Sequence, residues 1–185
     1  MNVAVFGGSF NPPHIAHVAA CRLVLSGADV ERVLVVPTYK HPFAKELAPY
    51  EDRVTMCELA MGDLPGVTVS RVEADLGGES RTLRTIEHLA ASHPDWRLRL
   101  VIGADVLAEA PRWFAFDVIS KLAPPLVLGR AGIDAPAAGP AVLPDVSSTA
   151  ARDAIARGAW EEAAALVPAK VLVYIRQRGL YGART

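Results

Sequence analysis

Cysteine is scarce: the 185 residues hold two, Cys21 and Cys57. They lie far apart, form no C-x-x-C and match no zinc spacing, which excludes a disulfide framework and a cysteine-built metal site. Two buried, inert thiols in a reducing compartment are the expectation. No charge of one sign dominates either, with 19 Lys plus Arg against 20 Asp plus Glu and a net charge of -1. Proteins that grip nucleic-acid polymers normally carry a basic excess, so that partner class is excluded. No apolar run approaches the length that spans a bilayer, which excludes a membrane-spanning helix. Residues 1–6 already read as a strand, with no basic region, long apolar stretch and small-residue cleavage site before them. That pattern predicts no secretory signal and a cytoplasmic location. A Gly-Lys-Ser/Thr phosphate loop and a G-x-G-x-x-G dinucleotide fingerprint are both missing.

What is present describes a globular chain. Hydrophobic residues make up 51% and charged residues 21%, far from a disordered composition. The length fits one domain with a sizeable core. Apolar runs predict strands over 3–6, 32–37, 67–72, 97–102 and 126–128, with a short one near 141–143. Helical periodicity covers 13–25, 50–61, 81–92, 149–157, 160–167 and 169–178, and residues 104–122 read as two short helices broken at Pro111. The Ala, Pro and Gly of 131–144 read as a surface loop, and 38–49 as a polar and aromatic one. Strands alternating with long helices predict βαβ units and a parallel sheet. Their near-continuous apolar character predicts helices on both faces. The expected fold class is therefore α/β: a Rossmann-like doubly wound parallel sheet in a single domain, 1–185. The C-terminal helical part, about 147–185, is included in that domain.

Ligands of open α/β sheets bind beyond the carboxyl ends of the strands, so the strand ends carry the functional signal. After the first strand comes Gly7-Gly8-Ser9-Phe10-Asn11-Pro12-Pro13-His14-Ile15-Ala16-His17. The two glycines permit backbone geometry that a side chain would block. Asn11, Pro12 and Pro13 are helix-entry residues. His14 and His17, three apart, share a face. Free N–H groups at a helix start attract anions, and two imidazoles beside them can donate to phosphate oxygens. A metal reading of the pair is weaker, because no third ligand is evident.

A second string, Ser147-Ser148-Thr149-Ala150-Ala151-Arg152, places N-cap hydroxyls and an arginine at another helix start. A cation there opposes the macrodipole unless an anion sits beside it. Ile102-Gly103-Ala104-Asp105 ends a strand where Gly admits close approach and Asp can accept from ribose hydroxyls. In Pro111-Arg112-Trp113-Phe114, the indole of Trp113 offers a flat face for stacking.

Together these strings resemble one family. Gly8 to His17 resembles the G-[ST]-F-D-P-x-H-x-G-H signature of the nucleotidylyltransferase superfamily, and Ser147 to Arg152 resembles its [IV]-S-S-T-x-x-R signature. Ser80-Arg81-Thr82-Leu83-Arg84-Thr85-Ile86 resembles the S-Y-T-x-D-T-L segment of bacterial nicotinate-nucleotide adenylyltransferases. Ile102 to Asp105, Pro111 to Trp113, and the ending Val173-Tyr174-Ile175 with Gly179-Leu180-Tyr181 extend the likeness over nearly the whole chain.

The resemblance implies transfer of AMP from ATP to nicotinate mononucleotide, with Mg²⁺ assisting, to give deamido-NAD and pyrophosphate. It implies that His14 and His17 contact the ATP phosphates. It also implies that Gly8, Ser9 and Phe10 border the reacting phosphate, and that Ser148, Thr149 and Arg152 hold the triphosphate. Gly103 and Asp105 would lie on the adenosine side, and Thr82 and Trp113 would border the pyridine ring. The chain departs from the pattern at Asn11 (family Asp), Ala16 (Gly), Arg81 (Tyr) and Arg84 (Asp). The family's P-P-H-K after strand two is missing. Lys40, His41 and Lys45 are the candidates for its charge, and the sequence does not choose among them. Competing readings are another acceptor, nicotinamide mononucleotide or phosphopantetheine, and a non-catalytic nucleotide-binding module. The sequence leaves the oligomeric state open.

Overall fold

The computed structural model describes residues 1–27, 29–41, 46–107, 113–130 and 142–183; the side chains of Asp105, Arg130 and Val142 lie outside that description. Six strands, all paired in parallel, form a sheet: β1 (Asn2–Gly8), β2 (Arg32–Pro37), β3 (Val67–Val69), β4 (Arg97–Gly103), β5 (Pro125–Arg130) and the two-residue β6 (Val142–Leu143). Their order is β3-β2-β1-β4-β5-β6, the Rossmann order.

Register explains the two-sided core. Val5 of β1 is level with Leu34 of β2 and Leu100 of β4. All three join one buried cluster with Ile86 and Leu89 of α4 (Thr82–Ser92) and Ile119 of α6 (Phe116–Leu122). The alternate residues Ala4, Val33 and Val101 point to the opposite face. There they meet Cys21 and Val24 of α1 (Ile15–Gly27) and Cys57 and Met61 of α2 (Tyr50–Met61). Each strand is thus apolar on both sides because helices cover both sides.

A third cluster joins Met56 of α2 to α7 (Ser148–Ala156), α8 (Trp160–Leu166) and α9 (Ala169–Arg178). Helix α2 therefore faces the sheet with Cys57 and the C-terminal helices with Met56.

One expectation changes. The apolar run over 67–72 is not one strand: β3 ends at Val69, and a five-residue helix, α3 (Val72–Leu76), follows and stops at Gly77. The Ser70 N–H still donates to the Val35 carbonyl, and Ser70 Oγ turns to accept the Val72 N–H. Between β4 and α6 the chain forms a short α5 (Ala104–Leu107); the break expected at Pro111 lies outside the described residues. Among the described residues, no helix is long and apolar enough to cross a membrane.

Candidate functional site

Strands β1 and β4 are neighbours whose chain connections leave on opposite sides, so a crevice opens beyond their carboxyl ends. A cleft of about 1060 Å³ lies there, at the upper end of the range for small-molecule sites. Gly8, Ser9, Phe10, His14, His17 and Gly103 line it, as do Ser148, Thr149, Arg152, Thr82 and Trp113. Of the catalytic and binding residues that the resemblance implies, the Asp105 side chain alone lies outside the description; its backbone belongs to α5.

The floor is the turn after β1. The sequence assigns its conformational freedom to Gly7 and Gly8, but the left-handed backbone belongs to Phe10, at φ 46°. That region is costly for a side chain of this size. Phe10 is held there by burial: it is 1% exposed, with the Phe6 ring edge-on at 5.5 Å and the His17 ring at 4.8 Å. A Cβ on Gly8 would press on the Phe10 ring at 3.2 Å, whereas one on Gly7 would meet open space.

Beside the floor, His14 and His17 stack with ring centroids 3.7 Å apart. His14 precedes α1, and its backbone N–H donates to His17 Nδ1 at 3.1 Å. A neutral His17 must then carry its proton on Nε2. The ring is fixed as an N–H donor by a main-chain contact that sequence spacing cannot reveal.

The start of α7 is clamped onto the same turn. Ser147 caps the helix by accepting the Ala150 N–H at 3.1 Å. Ser148 Oγ donates to the Pro12 carbonyl at 2.8 Å. Arg152 donates through Nη1 to the Asn11 carbonyl at 2.8 Å and through Nη2 to Thr149 Oγ1 at 3.2 Å. A guanidinium has five donors, so this anchorage leaves Arg152 able to receive an anion in a fixed orientation.

Underneath sits Arg53, which sequence reading passed over. It is 1% exposed, and it donates to the carbonyls of Ala48 (2.9 Å) and Ser9 (2.9 Å). Burial pulls its pKa below the ordinary arginine value, an effect the nearby Tyr181 phenol opposes. The only sequence signal was a charged residue within the apolar face of α2.

The far wall has different chemistry. Arg81 and Thr82 open α4, whose N-terminus carries no side-chain cap. Trp113 stands edge-on to Phe116 at 6.1 Å, and the Arg81 guanidinium lies 6.0 Å from the exposed Phe114 ring. Glu73 and Glu79, unassigned from sequence, also line this end. Glu73 accepts the Tyr39 N–H at 3.0 Å and the Ser80 hydroxyl, which ties the loop after β2 to this wall. In that loop Lys40 lies over the Tyr39 ring at 5.6 Å. Thr38, rather than Lys40 or His41, lines the cleft among the described residues, and Lys45 lies outside them. No group of three or more His, Cys, Asp or Glu among the described residues could hold a metal ion.

A protein-family model described as cytidylyltransferase-like matches residues 5–154. A protein of Anaeromyxobacter sp. (strain K), named a probable nicotinate-nucleotide adenylyltransferase, is 48% identical over 97% of this chain and 96% of its own. One of the same name from Myxococcus xanthus (strain DK1622) is 43% identical over 98% and 95%. The structure of Plasmodium falciparum nicotinic acid mononucleotide adenylyltransferase complexed with NaAD superposes with a TM-score of 0.86. It covers 99% of this chain and 98% of that one at 15% identity, a likeness of fold alone.

Proposed function

Since this chain belongs to the cytidylyltransferase-like family, and within it to the nicotinate-nucleotide adenylyltransferases, we propose that its cleft transfers AMP from ATP to nicotinate mononucleotide, giving deamido-NAD and pyrophosphate. The observation that carries this reading is a single cleft with two unlike ends. One end gathers His14, His17, Ser148, Thr149 and Arg152 at the starts of α1 and α7. The other gathers Trp113, Thr82 and the uncapped start of α4.

The first end suits a triphosphate: helix N–H groups, imidazole donors and a guanidinium fork converge on it. Gly8, Ser9 and Phe10 border the reacting phosphate, and Gly103 and Asp105 the adenosine. The second end suits a pyridine carrying a carboxylate. Trp113 provides the stacking face, and the N-terminal dipole of α4 favours an anion over a neutral carboxamide, with the Arg81 guanidinium beside it shared with Glu79 at 3.3 Å.

The acceptor phosphate is already an anionic nucleophile at neutral pH, so no Ser or Cys nucleophile is required. Catalysis is alignment for in-line attack at the α-phosphorus, with charge on the departing pyrophosphate neutralised by His14, His17 and Arg152. Mg²⁺ enters with ATP as part of the substrate, coordinated by phosphate oxygens, which is its usual mode. The C-terminal helices act within the same unit, since α7 supplies Arg152. The proposed compartment is the cytoplasm, where thiols stay reduced.

The test is pyrophosphate release from ATP and Mg²⁺ with nicotinate mononucleotide, nicotinamide mononucleotide or phosphopantetheine as acceptor. Nicotinate mononucleotide is expected to give the highest kcat/KM, ahead of its amide by roughly 10- to 100-fold, the worth of one charged hydrogen bond. Preference for another acceptor would overturn the substrate assignment, and no release with any acceptor would favour a binding module.

A further inference from the structure

The side chain that closes the framework under the phosphate end comes from the opposite end of the chain. Tyr181 lies in a 3₁₀ turn, Leu180–Gly182, and its hydroxyl donates to Asn11 Oδ1 at 2.9 Å. The same oxygen accepts the Ala48 N–H at 2.9 Å. With both acceptor positions of Oδ1 engaged, the Asn11 side chain has one orientation. Asn11 is 3% exposed, and its main-chain carbonyl receives the Arg152 guanidinium. Tyr181 itself holds a left-handed backbone at φ 57°, a conformation that persists in a non-glycine residue only where the surroundings impose it. Burial pushes its phenol pKa upward, with Arg53 and Arg152 close enough to oppose the shift, so it remains an O–H donor at neutral pH.

We propose that Tyr181 is a positioning residue for the nucleotide: through Asn11 it sets the backbone of residues 9–12 and the direction in which Arg152 presents its guanidinium. The inference rests on the reading that this end of the cleft receives the ATP phosphates. The hydrogen bond of the Tyr181 hydroxyl reaches the nucleotide-facing groups through Asn11, so its effect is on their aim.

A matched control lies in the same C-terminal segment. Tyr174 of α9 donates to Asp52 Oδ1 at 2.7 Å, where the Arg178 Nε–H also arrives at 3.1 Å. That contact fastens α9 to α2, and neither Tyr174 nor Asp52 lines the cleft. Both tyrosines tie the C-terminal segment down with one hydroxyl, but of the two Tyr181 is the one that reaches the phosphate turn.

The experiment compares Tyr181→Phe and Tyr174→Phe in the full chain. MgATP binding is measured by titration calorimetry, the KM for ATP and for nicotinate mononucleotide by kinetics, and stability by thermal melting. Tyr181→Phe is expected to weaken MgATP about fivefold, the typical worth of one hydrogen bond, and to raise the KM for ATP in step. The acceptor KM stays unchanged. Tyr174→Phe is expected to lower the melting temperature while leaving MgATP affinity at the wild-type value. MgATP binding by Tyr181→Phe equal to wild type, or weakened equally in both variants, would overturn the inference alone. A wild-type chain that binds no MgATP would overturn the parent reading and this inference with it.

Discussion

His17 shows how much of a proposed catalytic residue is set by its neighbours. Its position three residues after His14 is visible in the sequence, and the stacked rings bear out the shared face. That Nδ1 is taken by a main-chain N–H, leaving Nε2 as the donor, is a tertiary fact. On the proposed mechanism, replacing His17 with Ala removes a donor from the charge that develops in the transition state. Turnover is therefore expected to fall by roughly tens- to a thousandfold, in a steady-state assay with saturating ATP. A kcat near the wild-type value would remove His17 from the mechanism. Phe10 makes the converse point. The residue type that sequence rules connect with left-handed backbone is glycine, and two glycines stand beside it. The fold nevertheless puts the positive φ on a phenylalanine, because a buried ring between Phe6 and His17 offsets the backbone cost. Arg53 was unreadable for a similar reason: its partners are main-chain carbonyls, which have no sequence signature.

Among the elements, α2 and α9 match their sequence boundaries because each is bracketed by a proline before it and a glycine after it, Pro49 and Gly62 for α2, Pro168 and Gly179 for α9. The five-residue α3 is too short to show a period, and its one valine, Val72, reads as the end of a strand over 67–72. Helices α1 and α2 carry Cys21 and Cys57 against one face of the sheet, where both thiols are fully buried. Burial pushes Cys21 up to about 12 and Cys57 higher still, from an ordinary value of 9.0. Below that ordinary value both thiols are protonated in folded and unfolded chains alike. Above it the unfolded chain releases protons that the folded chain retains, so stability falls as pH rises from about 9 towards 12. Each thiol adds a slope of up to about 1.4 kcal/mol per pH unit in that window. Denaturant midpoints measured from pH 8 upward are expected to decline above about pH 9, and less steeply in Cys21→Ala. An identical slope in that variant would show that the thiol is not the titrating group.

At the scale of the molecule, the sheet order was legible as a class: alternating elements and two-sided apolar strands leave the doubly wound sheet as the natural arrangement. Which distant segments meet was less so. The strings at 8–17 and 147–152 could be matched to one family, yet their junction through Asn11, Arg152 and Tyr181 spans residues that no local pattern connects. The balanced charge of -1 argues against a polymeric anion as partner. It is compatible with a small one, because His14, His17 and Arg152 concentrate donors at one end of the cleft while Glu73 and Glu79 lie towards the other. The proposed task of this cleft is to carry an adenylyl group from one phosphate to another. The direct measurement is the fate of label placed on the α-phosphorus of ATP, in the presence of Mg²⁺ and nicotinate mononucleotide. Adenylyl transfer predicts label in deamido-NAD, one for one with unlabelled pyrophosphate. Label recovered as free AMP, or retained in ATP while the acceptor stays unchanged, would contradict it.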